Sequence, residues 1–299
     1  MLTFTTLASG SSGNAALVSC GNTHVLLDAG ISAKRITAGL KSLGIAPEAL
    51  AAVLITHEHH DHISGLQVLT KRFRLPVVTS GPTGRQLCYR VPFMDDLIRQ
   101  QEPGTGIQLG DLWIESFPTP HDAAGSVGYS ITGGGHRVVL CTDLGYVTDQ
   151  VKQAVRGCDL LVCEANHDED WVRSGPYPYH LKARILGDRG HLSNEAGAEL
   201  AALAVESGTR QVMCIRDSPS ALPSPGGQRQ LLRDSPAPRN TGRPLRCPNI
   251  SDRAGRCLPT PLGNGVYPPD HTLRSSKPRE WAAASFPAAL AAYGRSGWG

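Results

Sequence analysis

Short apolar runs alternate with segments of helical periodicity along the first two thirds of the chain. Apolar runs bounded by polar or glycine residues predict strands. They occur at residues 2–7, 15–20, 24–27, 51–55, 76–79, 114–117, 125–130, 137–141 and 159–163. Apolar residues spaced three and four apart predict helices. These segments lie at residues 32–43, 64–71, 81–89 and 196–205. The alternation of strands and helices predicts an α/β fold.

A dense polar cluster follows the apolar run at residues 51–55. His57, His59, Asp61 and His62 form the pattern H-x-H-x-D-H. Imidazole and carboxylate are ligands that zinc and similar divalent metals accept. Residues two apart in an extended or turning loop point the same way. His57 and His59 can therefore share one metal, while Asp61 and His62 turn toward a second. The alternative is a solvated polar loop, but a histidine cluster this dense is costly unless something binds it.

This motif resembles the signature of the metallo-β-lactamase-fold hydrolases. The glycine-serine turn at residues 9–14 and the segment at 26–30 are similar to the opening of the YycJ-like branch, a group of nucleases. The resemblance covers residues 1 to about 212. It implies an αββα sandwich, in which two β-sheets pack between helices. Asp28 would hydrogen-bond a metal-binding histidine, although Asp-Ala-Gly is also an ordinary turn.

The resemblance also implies two divalent metal ions, zinc or alternatively manganese, and two further ligands. His121 follows the run at 114–117 and would complete the first metal site, which includes His57 and His59. Asp143 follows the run at 137–141 and matches the carboxylate that bridges both metals in the family. The second metal would be held by the remaining residues of the motif and by one more histidine.

That last histidine is missing where the family places it. Residues 208–213 begin another predicted core strand, which in the family leads to an Ala-His-Leu-Ser-type motif. Here the chain reads Met-Cys-Ile-Arg-Asp-Ser at 213–218, and no histidine occurs between His191 and His271. Six of the seven expected ligands are thus present. We expect an incomplete C-terminal part of the fold and a weakened second metal site.

Glu164 and His191 indicate phosphate chemistry. In ribonuclease Z and related phosphodiesterases, an acidic residue after a strand pairs with a histidine that opens a later helix. Glu164 and His191 resemble that pair. A carboxylate beside an imidazole favours the charged ring, which can hold a phosphate oxygen or protonate a leaving alkoxide. Alternatively, His191 only precedes a helix capped by Ser193 or Asn194.

The stretch at residues 171–180 resembles a substrate-side loop of the family. Its two prolines, Pro176 and Pro178, argue against a helix. His167 and His180 lie near or within this stretch, where they would contact phosphates or simply lie on the surface.

The net charge of +3 is unevenly distributed along the chain. Residues 219–299 carry 11 Lys and Arg against 4 Asp and Glu, whereas residues 1–218 carry 18 against 22. The overall charge therefore gives no argument for nucleic-acid binding. The eight cysteines form no CxxC pair, and neither a signal peptide nor an apolar run of membrane length occurs. We expect free thiols in a cytoplasmic protein with no membrane partner.

The composition changes after the last predicted strand. Thirteen of the 22 prolines lie in the last 81 residues. We expect a hydrolase domain at residues 1–212 and a low-order, Pro- and Arg-rich tail at 213–299. Residues 213–218 resemble a translation of the transposon-end adapter used in DNA library preparation, which indicates that the tail is not native. The alternative is a disordered functional tail whose arginines contact nucleic-acid phosphates.

The expected function is metal-dependent hydrolysis of phosphodiester bonds in nucleic acid, by an exonuclease according to the resemblance. A hydroxide activated by two metals would attack phosphorus, with Asp61, Glu164 and His191 as catalytic residues. One alternative is hydrolysis of a small ester, thioester or lactam on the same fold. Another is metal binding without turnover, because the last ligand is missing. The sequence leaves the oligomeric state open.

Overall fold

Two β-sheets pack face to face between helices. The computed structural model describes residues 1–215 and the backbone of residues 260 and 261. The first sheet has the strand order β13-β1-β2-β3-β4-β5-β6, and the second has the order β12-β11-β10-β9-β8-β7. The strands are β1 (Leu2–Ala8), β2 (Ala15–Cys20), β3 (Thr23–Leu27), β4 (Leu50–Leu54), β5 (Val77–Thr79), β6 (Ile98–Gln100), β7 (Gly106–Leu109), β8 (Leu112–Pro118), β9 (Val127–Gly133), β10 (His136–Cys141), β11 (Leu160–Glu164), β12 (Gln211–Ile215) and β13 (Thr260–Pro261).

Helices cover the outer faces of both sheets. They are α1 (Ala33–Ser42), α2 (His60–Ile63), α3 (Leu66–Phe73), α4 (Gly81–Arg90), α5 (Asp149–Val155), α6 (Glu169–Ser174), α7 (Tyr179–Leu186) and α8 (Asn194–Glu206), with short 3-10 turns at Pro47–Ala49 and Pro92–Met94. Local sequence sets their starts, because the Ser32 hydroxyl accepts the Arg35 amide at α1 and Ser193 accepts the Ala196 amide at α8. The α/β fold class with two sheets between helices is confirmed.

The buried positions follow the repeat of each element, every second residue along a strand and one face along a helix. Between the sheets, side chains of alternating strand positions meet, with Phe4, Val18, Tyr129 and Val162 fully or almost fully buried. Under α1 and α3, the apolar helix faces cover the other side of the first sheet, and Ile36 and Leu40 are among the residues buried there. Removing this apolar surface from water stabilises the fold by roughly 25 cal/mol per Å².

The structure corrects the expectation that residues 171–180 form no helix. Helix α6 includes Trp171, and α7 begins at Tyr179. The two prolines lie between the helices, and Pro178 is the residue that precedes the first turn of α7. A proline at the start of a helix loses no helical hydrogen bond, so the prolines separate two helices.

Three further elements gave no clear pattern in the sequence. Strand β6 has only three residues, and β7 is an edge strand with no fully buried position. Helix α5 buries only Val151 and Val155. Elements this short, or this exposed, lack the apolar periodicity from which strands and helices are predicted.

Strand β12 extends to Ile215, three residues beyond the expected end of the domain at 212. It pairs in parallel with β11, and Ile215 lies opposite Glu164. The rest of the expected tail lies outside the described residues, apart from the short strand β13, which pairs with β1. The domain boundary therefore stays a prediction.

Two smaller expectations concern thiols and membranes. The six cysteines of residues 1–215 form no disulfide, as the sequence predicted for them. Over the same part of the chain, no helix combines the length and the apolar character that crossing a membrane requires.

Candidate metal centre and its surroundings

Residues from four strand ends meet at one edge of the sandwich. The histidine motif follows β4, His121 follows β8, Asp143 follows β10 and Glu164 ends β11. The motif first runs as an extended loop and then turns through α2, the single helical turn that carries Asp61 and His62. This edge therefore gathers residues that are far apart in sequence.

Three imidazoles form one side of the cluster. The His57 Nε2 and His59 Nδ1 atoms lie 3.0 Å apart, and His59 Nδ1 lies 3.3 Å from His121 Nε2. Burial first, and then the neighbouring imidazoles, lower the pKa of His57 well below its ordinary value. Burial likewise lowers the pKa of His121. Both rings are therefore neutral near pH 7, which is the form that ligates a metal.

His62 and two carboxylates form the other side. The His62 Nε2 atom lies 3.4 Å from both Asp61 Oδ2 and Asp143 Oδ2. Burial lowers the pKa of His62, but the nearby carboxylates of Asp28 and Asp143 outweigh it and raise this pKa well above its ordinary value. The carboxylates thus create a buried position that favours positive charge.

These residues fit a divalent metal. Three groups each bring their ligand atoms within 4.8 Å of one another: His57 with His59 and His121, His57 with His62 and Asp143, and His121 with Asp143 and His191. The Asp143 Oδ2 atom is buried and has no hydrogen-bond partner. A buried carboxylate oxygen without a partner is costly, and a cation would satisfy it. Asp61 belongs to none of these three groups and is partly exposed.

Asp28 orients His62. The Nδ1–H of His62 donates to Asp28 Oδ2 at 2.8 Å, and the Thr56 amide donates to Asp28 Oδ1 at 2.9 Å. The predicted hydrogen bond between Asp28 and a histidine of the motif is therefore present. It fixes the ring so that Nε2 faces the cluster. Asp28 and Asp143 both have positive φ, 57° and 58°, a strained conformation typical of functional sites.

We expect Asp28→Ala to weaken metal binding by about 10- to 100-fold, because the His62 ring loses its anchor. Zinc affinity measured by competition with a chromophoric chelator tests this. Asp111→Ala is the matched control, since Asp111 is an exposed carboxylate that also binds a threonine, Thr23. If both variants bind zinc as the unaltered chain does, Asp28 has no orienting role.

The glycine-serine turn packs onto the motif. The Asn14 amide donates to the Asp61 carbonyl at 2.7 Å, and the Asn14 side-chain amide lies 3.2 Å from His62 Nε2. A Cβ added to Gly30 would lie 1.5 Å from the Asp61 carbonyl oxygen. Glycine at this position permits the close approach of two backbones that positions the motif. The sequence did not predict the contact of Asn14 with the cluster.

Glu58, the unassigned acidic residue of the motif, supports the loop after His121. Its carboxylate is buried and accepts the Ala124 amide at 2.8 Å and the Thr83 hydroxyl at 3.1 Å. It thereby ties the motif both to α4 and to the loop that begins at His121. In the sequence, only the position of Glu58 between His57 and His59 indicated that it supports the site.

An ion pair at the rim of the cluster could not be predicted from the sequence either. The guanidinium of Arg184, on α7, donates to Asp122 Oδ2 at 2.6 Å through Nε. Asp122 Oδ1 in turn lies 3.3 Å from His121 Nε2 and 3.6 Å from His59 Nε2. The Arg184 side chain remains about half exposed. The positively charged guanidinium of Arg184 is therefore held beside the cluster and still faces solvent.

Glu164 and His191 form the predicted pair. The His191 Nδ1–H donates to Glu164 Oε2 at 3.0 Å, and Glu164 Oε1 accepts the amides of Leu144 and Leu192. Burial raises the pKa of Glu164, while the hydrogen bond from His191 opposes that rise. The His191 and His121 rings lie 5.2 Å apart between centroids. The pair therefore adjoins the cluster.

The two remaining candidate histidines lie in different surroundings. His180 is exposed on α7. His167 is buried, so the alternative that it lies on the surface is wrong. Its carbonyl accepts the Asn194 amide at 2.7 Å, and its Nδ1 has no hydrogen-bond partner. The backbone bridge to Ser193 at the start of α8 explains the burial.

The sandwich and its histidine and aspartate cluster define a metallo-hydrolase of the metallo-β-lactamase fold. Residues 23–215 match the family described as Beta-lactamase superfamily domain, and the chain belongs to that family.

Two curated relatives carry an activity in their names. The chain is 39% identical to exodeoxyribonuclease WalJ of Streptococcus pneumoniae serotype 2 (strain D39) over 213 residues, 70% of this chain and 79% of WalJ. It is 36% identical to exodeoxyribonuclease YycJ of Bacillus anthracis over 214 residues, 71% of this chain and 80% of YycJ. The expected kinship with the YycJ-like branch is confirmed.

Solved structures show the same fold. The metallo-β-lactamase fold protein YhfI from Bacillus subtilis matches with a TM-score of 0.59 and 18% identity, covering 77% of this chain and 91% of YhfI. The Zn²⁺-bound PqqB from Methylobacterium extorquens matches with a TM-score of 0.59 and 17% identity, covering 77% and 94%. At these identities the likeness concerns the fold alone.

Proposed function

We propose that this metallo-hydrolase cleaves phosphodiester bonds of nucleic acid as an exonuclease. The observation that carries the proposal is the pair formed by His191 and Glu164 beside the histidine and aspartate cluster. The names of the two relatives, both exodeoxyribonucleases, support DNA as the substrate. A cytoplasmic location stays a prediction from the sequence.

The cluster would hold two divalent metals, with zinc favoured by its imidazole-rich ligands and manganese as the alternative. His57, His59 and His121 would hold one metal, Asp61 and His62 the other, and Asp143 would bridge them. When bound, such metals lower the pKa of water toward neutrality and polarise the phosphate. The donor set fits this use, because the buried Asp143 Oδ2 has no hydrogen-bond partner.

The other residues would act on the substrate directly. Glu164 orients the His191 ring through Nδ1, and His191 would donate a proton to the leaving oxygen. Arg184, held by Asp122, would offer its exposed guanidinium to a phosphate oxygen. This charged rim favours a phosphodiester over the alternative small ester, thioester or lactam, for which an apolar pocket would be expected.

The test is cleavage of end-labelled DNA by the full chain, first with zinc or manganese and then with chelator. We expect nucleotide release that chelation stops and added metal restores. Hydrolysis of a thioester or a lactam, with DNA left intact, would favour the rival substrates. Bound metal with no hydrolysis of any of these substrates would indicate a binding protein without turnover.

We also propose that the native sequence is interrupted near residue 212, so that the domain is truncated on its C-terminal side, and that residues 213–299 are foreign to it. The adapter-like hexapeptide at 213–218 and the missing histidine support this. Strand β12 lies beside β11, whose last residue is Glu164, and a histidine following β12 would therefore come close to the cluster. Sequencing the gene across these codons tests the proposal. A continuous frame into an Ala-His-Leu-Ser-like segment is expected, and an unchanged Arg216-Asp217 would refute it.

A further inference from the structure

We infer that a groove between α1 and α3 binds the phosphate backbone of the nucleic-acid strand that reaches the cluster. This inference rests on the proposed function and adds a second contact surface to it. The groove has a volume of about 610 Å³. Its lining includes three basic side chains, Lys34, Lys41 and Arg72, and one acidic side chain, Glu48.

The charge of this region is opposite to that of the rest of the described chain. Residues 1–215 carry 17 Lys and Arg against 21 Asp and Glu. By contrast, helix α3 carries two basic residues, Lys71 and Arg72, and no acidic one. Residues 29–57, which include α1, carry three basic residues and one acidic one. A localised basic surface on an acidic domain is the electrostatic footprint of a polyanion.

The three cations of the groove are exposed and available. Within residues 1–215, the ion pairs of lysine and arginine involve Lys152, Arg173 and Arg184, none of which lines the groove. The Arg72 guanidinium lies 5.0 Å from the centroid of the Phe73 ring. That contact orders the guanidinium without neutralising its charge.

The spacing of the cations suits a nucleic-acid backbone. Lys34 and Lys41 are seven positions apart on α1, which corresponds to about 10 Å along the helix axis. A nucleic-acid strand in a duplex carries one charge per about 3.4 Å of axis. Several phosphates would therefore lie along this face, and the partly buried Phe73 and Ile45 form its apolar floor.

The groove is lined by two helices that start beside the cluster. Helix α1 starts just after Gly30, whose carbonyl accepts the Ser64 hydroxyl at 2.5 Å. The Gly65 amide donates to the Ala29 carbonyl, and α3 starts at the next residue. Both helices therefore start against the metal motif. A strand whose end lies at the cluster would meet Lys34 first and Lys41 farther along α1.

The test is a charge reversal of the groove, Lys34→Glu with Lys41→Glu and Arg72→Glu, in the full chain. The matched control is Lys152→Glu with Arg156→Glu and Arg210→Glu, which makes the same change in net charge at exposed residues outside the groove. Affinity for a fluorescent phosphorothioate oligonucleotide, single-stranded and duplex, is measured against salt concentration. Thermal unfolding and hydrolysis of a small phosphodiester are measured in parallel.

We expect the groove variant to bind at least about tenfold more weakly at low salt, with a salt slope smaller by about one for each lost phosphate contact. The control should change much less, and small-diester hydrolysis should stay the same in both. Equal loss in both variants, or no loss in either, overturns the inference. The inference is also overturned if the groove variant binds the oligonucleotide as tightly as the unaltered chain does but no longer binds polyglutamate. The groove would then bind an acidic protein partner. Groove-dependent binding without any cleavage by the unaltered chain would refute the proposed nuclease activity and leave the groove standing.

Discussion

Asp143→Asn is expected to lower metal-dependent hydrolysis by at least about a thousandfold, because Asp143 faces both halves of the cluster. Its ligand atoms approach those of His57 and His62 on one side and those of His121 and His191 on the other. Asparagine keeps the size of the side chain but removes the charge. We also expect the variant to retain less than half of the bound metal, measured by mass spectrometry of the dialysed protein.

The matched control is Asp159→Asn. Asp159 Oδ1 lies 3.3 Å from a histidine nitrogen, His136 Nδ1, and Asp159 Oδ2 accepts a backbone amide. Like Asp143, it is a carboxylate beside an imidazole, but it belongs to none of the candidate metal groups. We expect metal content and activity to stay within about twofold, as for most substitutions away from a site. Equal effects of the two substitutions would contradict a special role for Asp143.

His191→Ala is expected to lower kcat for DNA by about 10²- to 10⁴-fold while the metal content stays unchanged, because a proton donor is lost. The effect should be much smaller with a bis-p-nitrophenyl phosphodiester, whose leaving group needs little protonation. His180→Ala is the control, since His180 is exposed on the neighbouring helix α7.

A different outcome would reassign His191. Its ring belongs to a candidate metal group with His121 and Asp143. If His191→Ala loses metal and affects both substrates equally, His191 is a metal ligand and the proton donor must be sought elsewhere. Comparing metal content with the two leaving groups separates these roles, which activity against DNA alone would not do.

The sequence predicted those parts of the site that are local or that follow strands. His57, His59, Asp61 and His62 lie within six positions after a predicted strand, and their spacing alone indicates a metal. The remaining candidates needed the resemblance to the family, because a single histidine or aspartate after a strand occurs in many turns. The structure brings His121 and Asp143 to the same edge as the motif.

Contacts between distant loops could not be predicted. Arg184 reaches Asp122 across 62 positions, and Glu58 reaches Ala124 across 66. No periodic pattern encodes such pairs, since they depend on how the loops pack after the strands have paired. The helix that carries Arg184 was itself missed, because its prolines precede it and were interpreted as excluding it.

The most direct test of the metal centre is the anomalous difference density at the zinc edge, measured on crystals of the zinc-loaded chain. We predict a peak about 2.0–2.1 Å from nitrogens of His57, His59 and His121. A second, weaker peak is expected between His62 and Asp143, because one ligand of that site is missing from the sequence. Zinc bound only elsewhere, with no peak among these histidines, would contradict the assignment of this cluster as the metal centre and the mechanism that depends on it.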